Sequence, residues 1–411
     1  MRAVPPLTGV FVDITQPSNP NPRRRELGTF FTYGACLFAL GLSMSVVGPT
    51  LPTLADNVGV SLARISFIFT TSSLGYLLGS SGGGRLYDRL KGHRIMLVAM
   101  IFMLTSGVLI PVVHSFYALL GVVFLFGLGQ GLIDIGANLG VLWVFKSRVG
   151  PYMNALHFFF GLGAFISPII VTNVMRWSGG TITWPFWVLG ILYLPGLIGL
   201  LIYPSPDNSE KEKDGETPQK INYKLVIPII VLFFLYVGVE ASFGGWIYTY
   251  ATVNGISGEA GASYLNSLYW GALMAGRLIT VPLSRKVKAS KILVGNYILM
   301  ALFLLMILVW PVNSVMVWVA SIGLGFAVSS VFPTLLALAE TRMKVTGAIT
   351  GLFFLGTSLG GMIVPTVLGQ IFEYVGSYQA IQALFLGACL GLGVLIIVIV
   401  ASNRMGERTR G

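Results

Sequence analysis

Long apolar runs alternate with short polar segments along most of the 411-residue chain. A bilayer core about 30 Å thick needs roughly 20 apolar helical residues for each crossing. By that measure we predict twelve membrane-spanning helices, numbered here as spans 1 to 12, at 29–53, 63–84, 95–113, 117–145, 152–175, 184–203, 224–250, 263–283, 292–311, 314–339, 346–372 and 378–402. The pattern therefore predicts an all-α membrane protein.

The composition supports this class and excludes others. Hydrophobic residues make up 55% of the chain and charged residues only 10%, whereas a typical soluble domain has about 25% charged residues. A soluble protein of this length could not cover its surface with so few charges. The composition excludes an ordinary soluble enzyme, a nucleic-acid-binding module and a disordered chain.

The net charge of +11 has a topological explanation. If the N-terminus is cytoplasmic, 23 of the 26 lysines and arginines fall on the cytoplasmic side; Arg64 and Arg176 lie opposite, and Arg277 lies inside span 8. Because positive residues are retained in the cytoplasm, we predict that both termini are cytoplasmic. Membrane topology then explains the excess of basic residues, and no nucleic-acid partner is implied. We expect an integral protein of the plasma membrane.

A polar stretch near the middle of the chain divides the spans into two sets of six. The domain boundaries predicted from it are an N-terminal cytoplasmic tail (1–26), a six-helix bundle (27–203), a cytoplasmic linker (204–222), a second six-helix bundle (223–402) and a C-terminal tail (403–411).

The two halves also repeat each other in sequence. Gly127 and Gly129 in span 4 match Gly323 and Gly325 in span 10 at an offset of 196, and comparable matches link spans 2 and 8 and spans 5 and 11. Such a duplication predicts two similar bundles with a solute site between them near the middle of the membrane.

Two acidic residues lie well inside predicted spans. Asp134 is in span 4 and Glu240 is in span 7. An unpaired charge in the bilayer costs several kcal/mol, so an intramembrane carboxylate is a functional candidate by default. We predict that both residues couple transport to a cation; the alternative is a neutral carboxyl group that only packs against another helix. Spacing favours Asp134, because Gln130, Asp134 and Asn138 follow one face of a helix.

Polar and aromatic side chains near these carboxylates have the chemistry to bind a sugar. Amides and carboxylates bind hydroxyl groups, and aromatic faces cover the C–H side of a sugar ring. The predicted substrate-binding residues are Gln130, Asn138, Asn154, His157, Trp246, Asn266 and Trp270. The alternatives are a histidine that makes only structural hydrogen bonds and aromatic rings that face lipid or the core.

The loop after span 2 carries a family motif. Residues 84–94 read GRLYDRLKGHR, which resembles the corresponding loop of the major facilitator superfamily, Gly-x-x-x-Asp-Arg/Lys-x-Gly-Arg-Arg/Lys, with one extra residue and a histidine at a usually basic position. The resemblance implies a twelve-helix fold and a gating role for Gly84, Asp88, Arg89 and Arg94. Arg277 is a candidate gating partner; it could also pair with a carboxylate, bind an anionic solute or extend to the cytoplasmic surface.

Three further segments resemble one branch of that superfamily. Residues 129–138 (GQGLIDIGAN), 154–163 (NALHFFFGLG) and 236–246 (YVGVEASFGGW) look like the fucose/glucose permease branch, which includes sodium-dependent glucose transporter-like members. In that branch a carboxylate four residues before an asparagine takes part in proton coupling, and Asp134 and Asn138 match it. Fucose permeases also use an acidic residue in span 1; residues 30–52 here contain none, which leaves Asp134 and Glu240.

These observations predict a secondary transporter that moves a neutral, sugar-like solute by alternating access, with H⁺ or Na⁺ as the symported cation. Two alternatives stay open: an efflux transporter for amphipathic compounds or lipids, and a non-transporting membrane sensor. The sequence contains no Walker A motif and no Cys/His metal spacing, so we expect no enzyme activity, no metal and no cofactor. The expected partners are a small solute and the lipid bilayer, and we expect a monomer.

Overall fold

The computed structural model describes residues 22–206, 223–343, 345 and 347–408. Within these ranges the chain forms helices and no strand. The α-helices are Pro22–Ser45, Val47–Val58, Leu62–Ile65, Phe67–Arg89, Gly92–Leu109, Phe116–Phe145, Val149–Trp177, Thr183–Ile191, Leu194–Ile202, Tyr223–Val253, Glu259–Ser284, Ala289–Val309, Ser314–Val328, Val331–Glu340, Gly347–Tyr374 and Ser377–Arg408. The predicted all-α architecture is confirmed. Most of the predicted N-terminal tail and linker, and residues 409–411, lie outside the described residues.

These helices follow the twelve predicted spans. Spans 1, 2, 6 and 10 each consist of two consecutive helices, and the other eight spans each contain one α-helix. By length and apolar composition alone, the described residues contain nine candidate membrane helices, or ten if a bent pair at 47–89 counts as one span. One of the nine covers 116–177 and combines two separate helices, Phe116–Phe145 and Val149–Trp177. At 1.5 Å per residue each is about 45 Å long, enough for one crossing, so this candidate accounts for spans 4 and 5.

Glycines lock span 2 against span 4. A Cβ added at Gly127 would overlap the backbone oxygen of Ser72, and one added at Gly131 would overlap that of Tyr76. The contact is reciprocal, because a Cβ at Gly75 would overlap the backbone of Phe124 in span 4. Small residues let membrane helices approach closely where lipid provides no hydrophobic drive. This packing brings Tyr76 beside span 4.

We expect Gly127→Ala to lower the free energy of unfolding by about 1–3 kcal/mol, the usual effect of overpacking. The added methyl group would collide with backbone, which cannot rotate away. Thermal unfolding of the purified protein in detergent measures the effect. Gly121→Ala on the same helix is the matched control, because its Cβ would meet nothing within 4 Å. Equal stability of the two variants would contradict the proposed interlock.

Close glycine contacts repeat between the two halves. Gly163 in span 5 lies against the backbone oxygen of Phe38 in span 1, and Gly360 in span 11 lies against that of Phe234 in span 7. The two contacts occupy corresponding places in the two bundles. The repeat predicted between spans 5 and 11 therefore has a structural counterpart.

The predicted register between spans 4 and 10 is wrong. Gly127 packs on span 2, and its match Gly323 packs on the ring of Phe303 in span 9 instead of on span 8. Gly325 is the residue that meets span 8, at the backbone oxygen of Tyr269. Gly325 therefore packs as Gly127 and Gly131 do, and Gly323 packs on span 9 as Gly129 packs on span 3, so the sequence match aligned glycines that face different helices.

Hydrogen bonds between the two bundles close one end of the cleft that separates them. We call the membrane face at which helix Leu194–Ile202 ends and helix Tyr223–Val253 begins the linker face, and the opposite one the far face. At the far face Gln370 Nε2 donates to the Ala63 carbonyl oxygen at 2.6 Å, Ser66 Oγ donates to the Thr366 carbonyl oxygen at 3.1 Å, and the Thr70 and Thr366 hydroxyls are 2.7 Å apart. These contacts seal span 2 to span 11.

Candidate functional site

Asp134 receives a hydrogen bond at each carboxylate oxygen. The Tyr76 hydroxyl donates to Oδ2, and Asn138 Nδ2 donates to Oδ1 at 3.0 Å and to the Asp134 carbonyl oxygen at 2.8 Å. The side chains of Asp134 and Asn138 are half-buried. Tyr76 was not predicted as a site residue; only the packing of span 2 on span 4 identifies it. Together the two donors fix the orientation of the carboxylate.

Gln130 lies one turn before Asp134 but has a different environment. Its side chain is only 4% exposed, and its Nε2 donates to Ser43 Oγ at 2.9 Å. That bond ties span 4 to span 1 inside the N-terminal bundle. The predicted polar stripe is present, but Gln130 has a structural partner within its own half.

Glu240 has a tyrosine neighbour in the C-terminal bundle, as Asp134 does in the N-terminal bundle. Its half-buried carboxylate interacts with the hydroxyl of Tyr236, which lies one turn earlier on span 7. The Tyr269 hydroxyl donates to the Glu240 carbonyl oxygen at 3.0 Å and holds span 8 against span 7. Each bundle therefore presents one carboxylate with a tyrosine beside it.

Arg277 lies within electrostatic range of both carboxylates. Its guanidinium is near enough to Asp134 of one bundle, Glu240 of the other and His157 to influence their charge states, although among the described residues it forms no ion pair with either carboxylate. Its Nε donates to the Ser329 carbonyl oxygen at 3.2 Å, and the side chain is half-buried. The structure thus places Arg277 within this group rather than extended to the surface. With both carboxylates ionised, the two carboxylates and one guanidinium have a formal charge of −1.

The first turns of span 5 line the cleft near the linker face. His157 is half-buried, and Asn154, which precedes it by nearly one turn, is exposed. In the part of the chain that the structure describes, neither side chain has a hydrogen bond within the protein. Both are free to bind a solute.

Asn266 and Trp270 carry buried polar atoms without partners. Asn266 is 0% exposed and its Nδ2 donates to the Gly244 carbonyl oxygen at 2.6 Å, but its Oδ1 has no partner among the described residues. The Trp270 indole N–H also has none, although that residue is only 9% exposed. An unsatisfied buried polar group costs about 1–3 kcal/mol. An acceptor and a donor on one face of span 8 therefore lack partners in this state.

Trp246 belongs to the far-face seal. It is 2% exposed, its Nε1 donates to the Pro365 carbonyl oxygen at 3.1 Å, and its ring stacks on Phe372 with centroids 5.3 Å apart. The sequence predicted a solute-binding role from its aromatic type. The structure instead joins this indole to span 11, and its ring lies beside that of Phe69 in span 2, with centroids 6.1 Å apart.

The predicted gating loop lies at the linker face. Gly84 is half-buried, and Asp88, Arg89 and Arg94 are exposed. No contact between these three side chains and the C-terminal bundle occurs among the residues described. Their gating role remains a prediction for a state closed at this face.

We expect Thr70→Val and Thr366→Val together to favour opening of the far face by about tenfold, since a lost hydrogen bond changes stability by about 0.5–1.5 kcal/mol. Spin labels at Asp56 and Val375, exposed on opposite bundles, would report a longer distance. Thr71→Val is the matched control, because the Thr71 hydroxyl donates to Phe67 within its own helix. An unchanged distance distribution in the double variant would contradict the seal.

Comparisons with known proteins give a consistent family. The Major Facilitator Superfamily profile matches residues 33–365. Human sodium-dependent glucose transporter 1 is 26% identical over 402 residues, covering 89% of this chain and 77% of the human protein. The zebrafish (Danio rerio) protein of the same name is 29% identical over 423 residues, covering 92% of this chain and 71% of its own.

A solved structure has the same fold. The crystal structure of a variant of the nucleoside transporter NupG matches with a TM-score of 0.71 at 12% sequence identity, covering 93% of this chain and 99% of that one. The overall fold is therefore shared with a protein of known structure.

Proposed function

Because this chain belongs to the major facilitator superfamily, we propose that it carries a neutral, sugar-like solute across the plasma membrane by alternating access, in symport with one H⁺ or Na⁺. The protein is an integral membrane transporter of a small solute and not an enzyme.

The charge group formed by Asp134, Glu240 and Arg277 carries the proposal. It spans both bundles, and its formal charge of −1 leaves one carboxylate without a compensating charge. An uncompensated charge in a membrane interior is costly, so binding one cation stabilises the group. A group that both bundles share also links cation binding to their relative movement.

A sugar-like solute is supported by the neutral polar groups around that charge. Asn266 Oδ1 and the Trp270 N–H lack partners, and Asn138 and Asn154 add amides nearer the linker face. Hydroxyl groups both donate and accept, so a polyol satisfies this mixture. The names of the glucose-transporting relatives agree with this class.

The closed far face sets the direction of access in this state. If both termini are cytoplasmic, as the basic residues predict, the far face is extracellular. We therefore propose that the half-buried carboxylates are reached from the cytoplasm and that the structure corresponds to an inward-facing state.

An uptake screen in proteoliposomes tests the proposal. The purified protein would be supplied with labelled D-glucose, L-fucose and uridine under an imposed H⁺ or Na⁺ gradient. We expect one sugar to accumulate above its equilibrium level with one of the two gradients and not with K⁺ alone. Accumulation of none of them, or export of amphipathic dyes instead, would overturn the sugar symport.

A further inference from the structure

A polar cavity lies at the far face, away from the charge group formed by Asp134, Glu240 and Arg277. It has a volume of about 230 Å³ and lies between the end of span 5 and the facing ends of spans 7 and 8. At roughly 30 Å³ for each water in the liquid, it has room for several waters or one small polar molecule. Thr172 and Arg176 line it from the N-terminal bundle, and Tyr248, Glu259 and Ser263 line it from the C-terminal bundle.

Three hydroxyls that line this cavity have no partner in the protein. The residues that carry them are well buried: Thr172 is 6%, Tyr248 7% and Ser263 1% exposed. Among the described residues none of the three hydroxyl groups makes a hydrogen bond, and none of the three oxygens belongs to the fully buried atoms that lack a partner, so each is reached from the cavity. Water or a ligand inside the cavity can therefore bind all three.

The chemistry of the lining selects a neutral ligand. Hydroxyls both donate and accept, which matches the hydroxyls of a polyol, and the Tyr248 ring offers an apolar face. The charged residues at the cavity, Arg176 and Glu259, are exposed and opposite in sign, so they give no net preference for an ion. Ser267 lies one turn after Ser263 on span 8, and its buried Oγ also lacks a partner among the described residues. It extends the row of unpaired hydroxyls from the cavity toward the middle of the membrane.

We propose that this cavity is a second binding site, for a small neutral polyhydroxy compound that enters from the far face. The assignment of the same chemical class to both sites rests on the proposed function. Because both bundles line the cavity, it exists in this form only while the far face is closed. A ligand bound there stabilises that state and slows the return to the state open at the far face.

Thiol labelling of the full-length protein in detergent tests the site. Ala260→Cys places a thiol at the cavity in a Cys389→Ala background, since the remaining Cys36 is 0% exposed. The probes are D-glucose, sorbitol, myo-inositol and glycerol, compared with potassium chloride of equal osmolarity. We expect at least one of the four to slow labelling by a water-soluble maleimide.

A triple variant that removes the three hydroxyls should bind the protecting compound more weakly. We expect the concentration that halves the labelling rate to rise about tenfold or more, equivalent to about 1.4 kcal/mol, in the combination Thr172→Val, Tyr248→Phe and Ser263→Ala. Thr252→Val is the matched control, because that hydroxyl is bonded to the Tyr248 carbonyl oxygen within span 7, and it should leave protection unchanged.

Repeating the labelling with Asp134→Asn and Glu240→Gln separates this site from the central one. We expect protection to persist there, even if the uptake screen fails for every sugar. Absence of protection by all four compounds, protection that survives the triple variant, or protection lost with the two central substitutions would each overturn the second site.

Discussion

Asp134→Asn is expected to abolish cation-driven accumulation and to leave solute exchange partly intact. The amide has nearly the same shape and still accepts a hydrogen bond from Tyr76, but it cannot hold the negative charge that a cation would neutralise. Uptake into proteoliposomes, with and without a cation gradient, measures accumulation, and exchange of labelled for unlabelled solute measures solute movement without net coupling.

Asp56→Asn is the control for this change, because Asp56 is an exposed carboxylate at the end of span 1 and should retain normal accumulation. Glu240→Gln is expected to weaken solute binding or coupling. If Asp134→Asn kept its pH- and Na⁺-dependent accumulation, Asp134 would not be the coupling residue.

Arg277→Gln is expected to stop transport, because the central group would then have a formal charge of −2. Two uncompensated carboxylates in a membrane interior are costly. Arg277→Lys retains the charge and should keep part of the activity. Initial uptake rates at a fixed cation gradient would measure all of these variants.

The charge balance also predicts which second substitution restores transport. Glu240→Gln added to Arg277→Gln returns the formal charge to −1 and should recover part of the accumulation. Asp134→Asn added to Arg277→Gln gives the same charge but removes the proposed coupling residue, and it should not. Equal outcomes for the two pairs would show that charge balance alone does not explain the site.

The span pattern was predictable because each crossing needs a long apolar run, whatever its neighbours are. Asp134 was also predictable, since a carboxylate inside such a run stands out and Asn138 shares its helix face. Tyr76 was not, because its hydroxyl bonds a residue 58 positions away and the chain contains 16 tyrosines. Only the glycine packing of two helices reveals that pair.

Contacts between the two bundles could not be predicted from the sequence either. The proximity of Arg277 to both carboxylates depends on how the two halves sit against each other, which no local pattern specifies. For the same reason Trp246 was predicted as a solute ligand from its aromatic type, while its ring packs beside Phe69 of the other bundle at the seal. Residue type predicted the chemistry available, and packing decided where it is used.

The bonds between Ala63, Ser66 and Thr70 and their partners on span 11 involve hydroxyl, amide and carbonyl groups without charge. Ionic strength screens charges but has little effect on such bonds. The far-face seal should therefore be equally stable at low and high salt concentration. A salt or pH dependence measured in transport would then report how fully the central carboxylates are occupied, and it could be analysed as a binding curve without correction for leakage through the barrier.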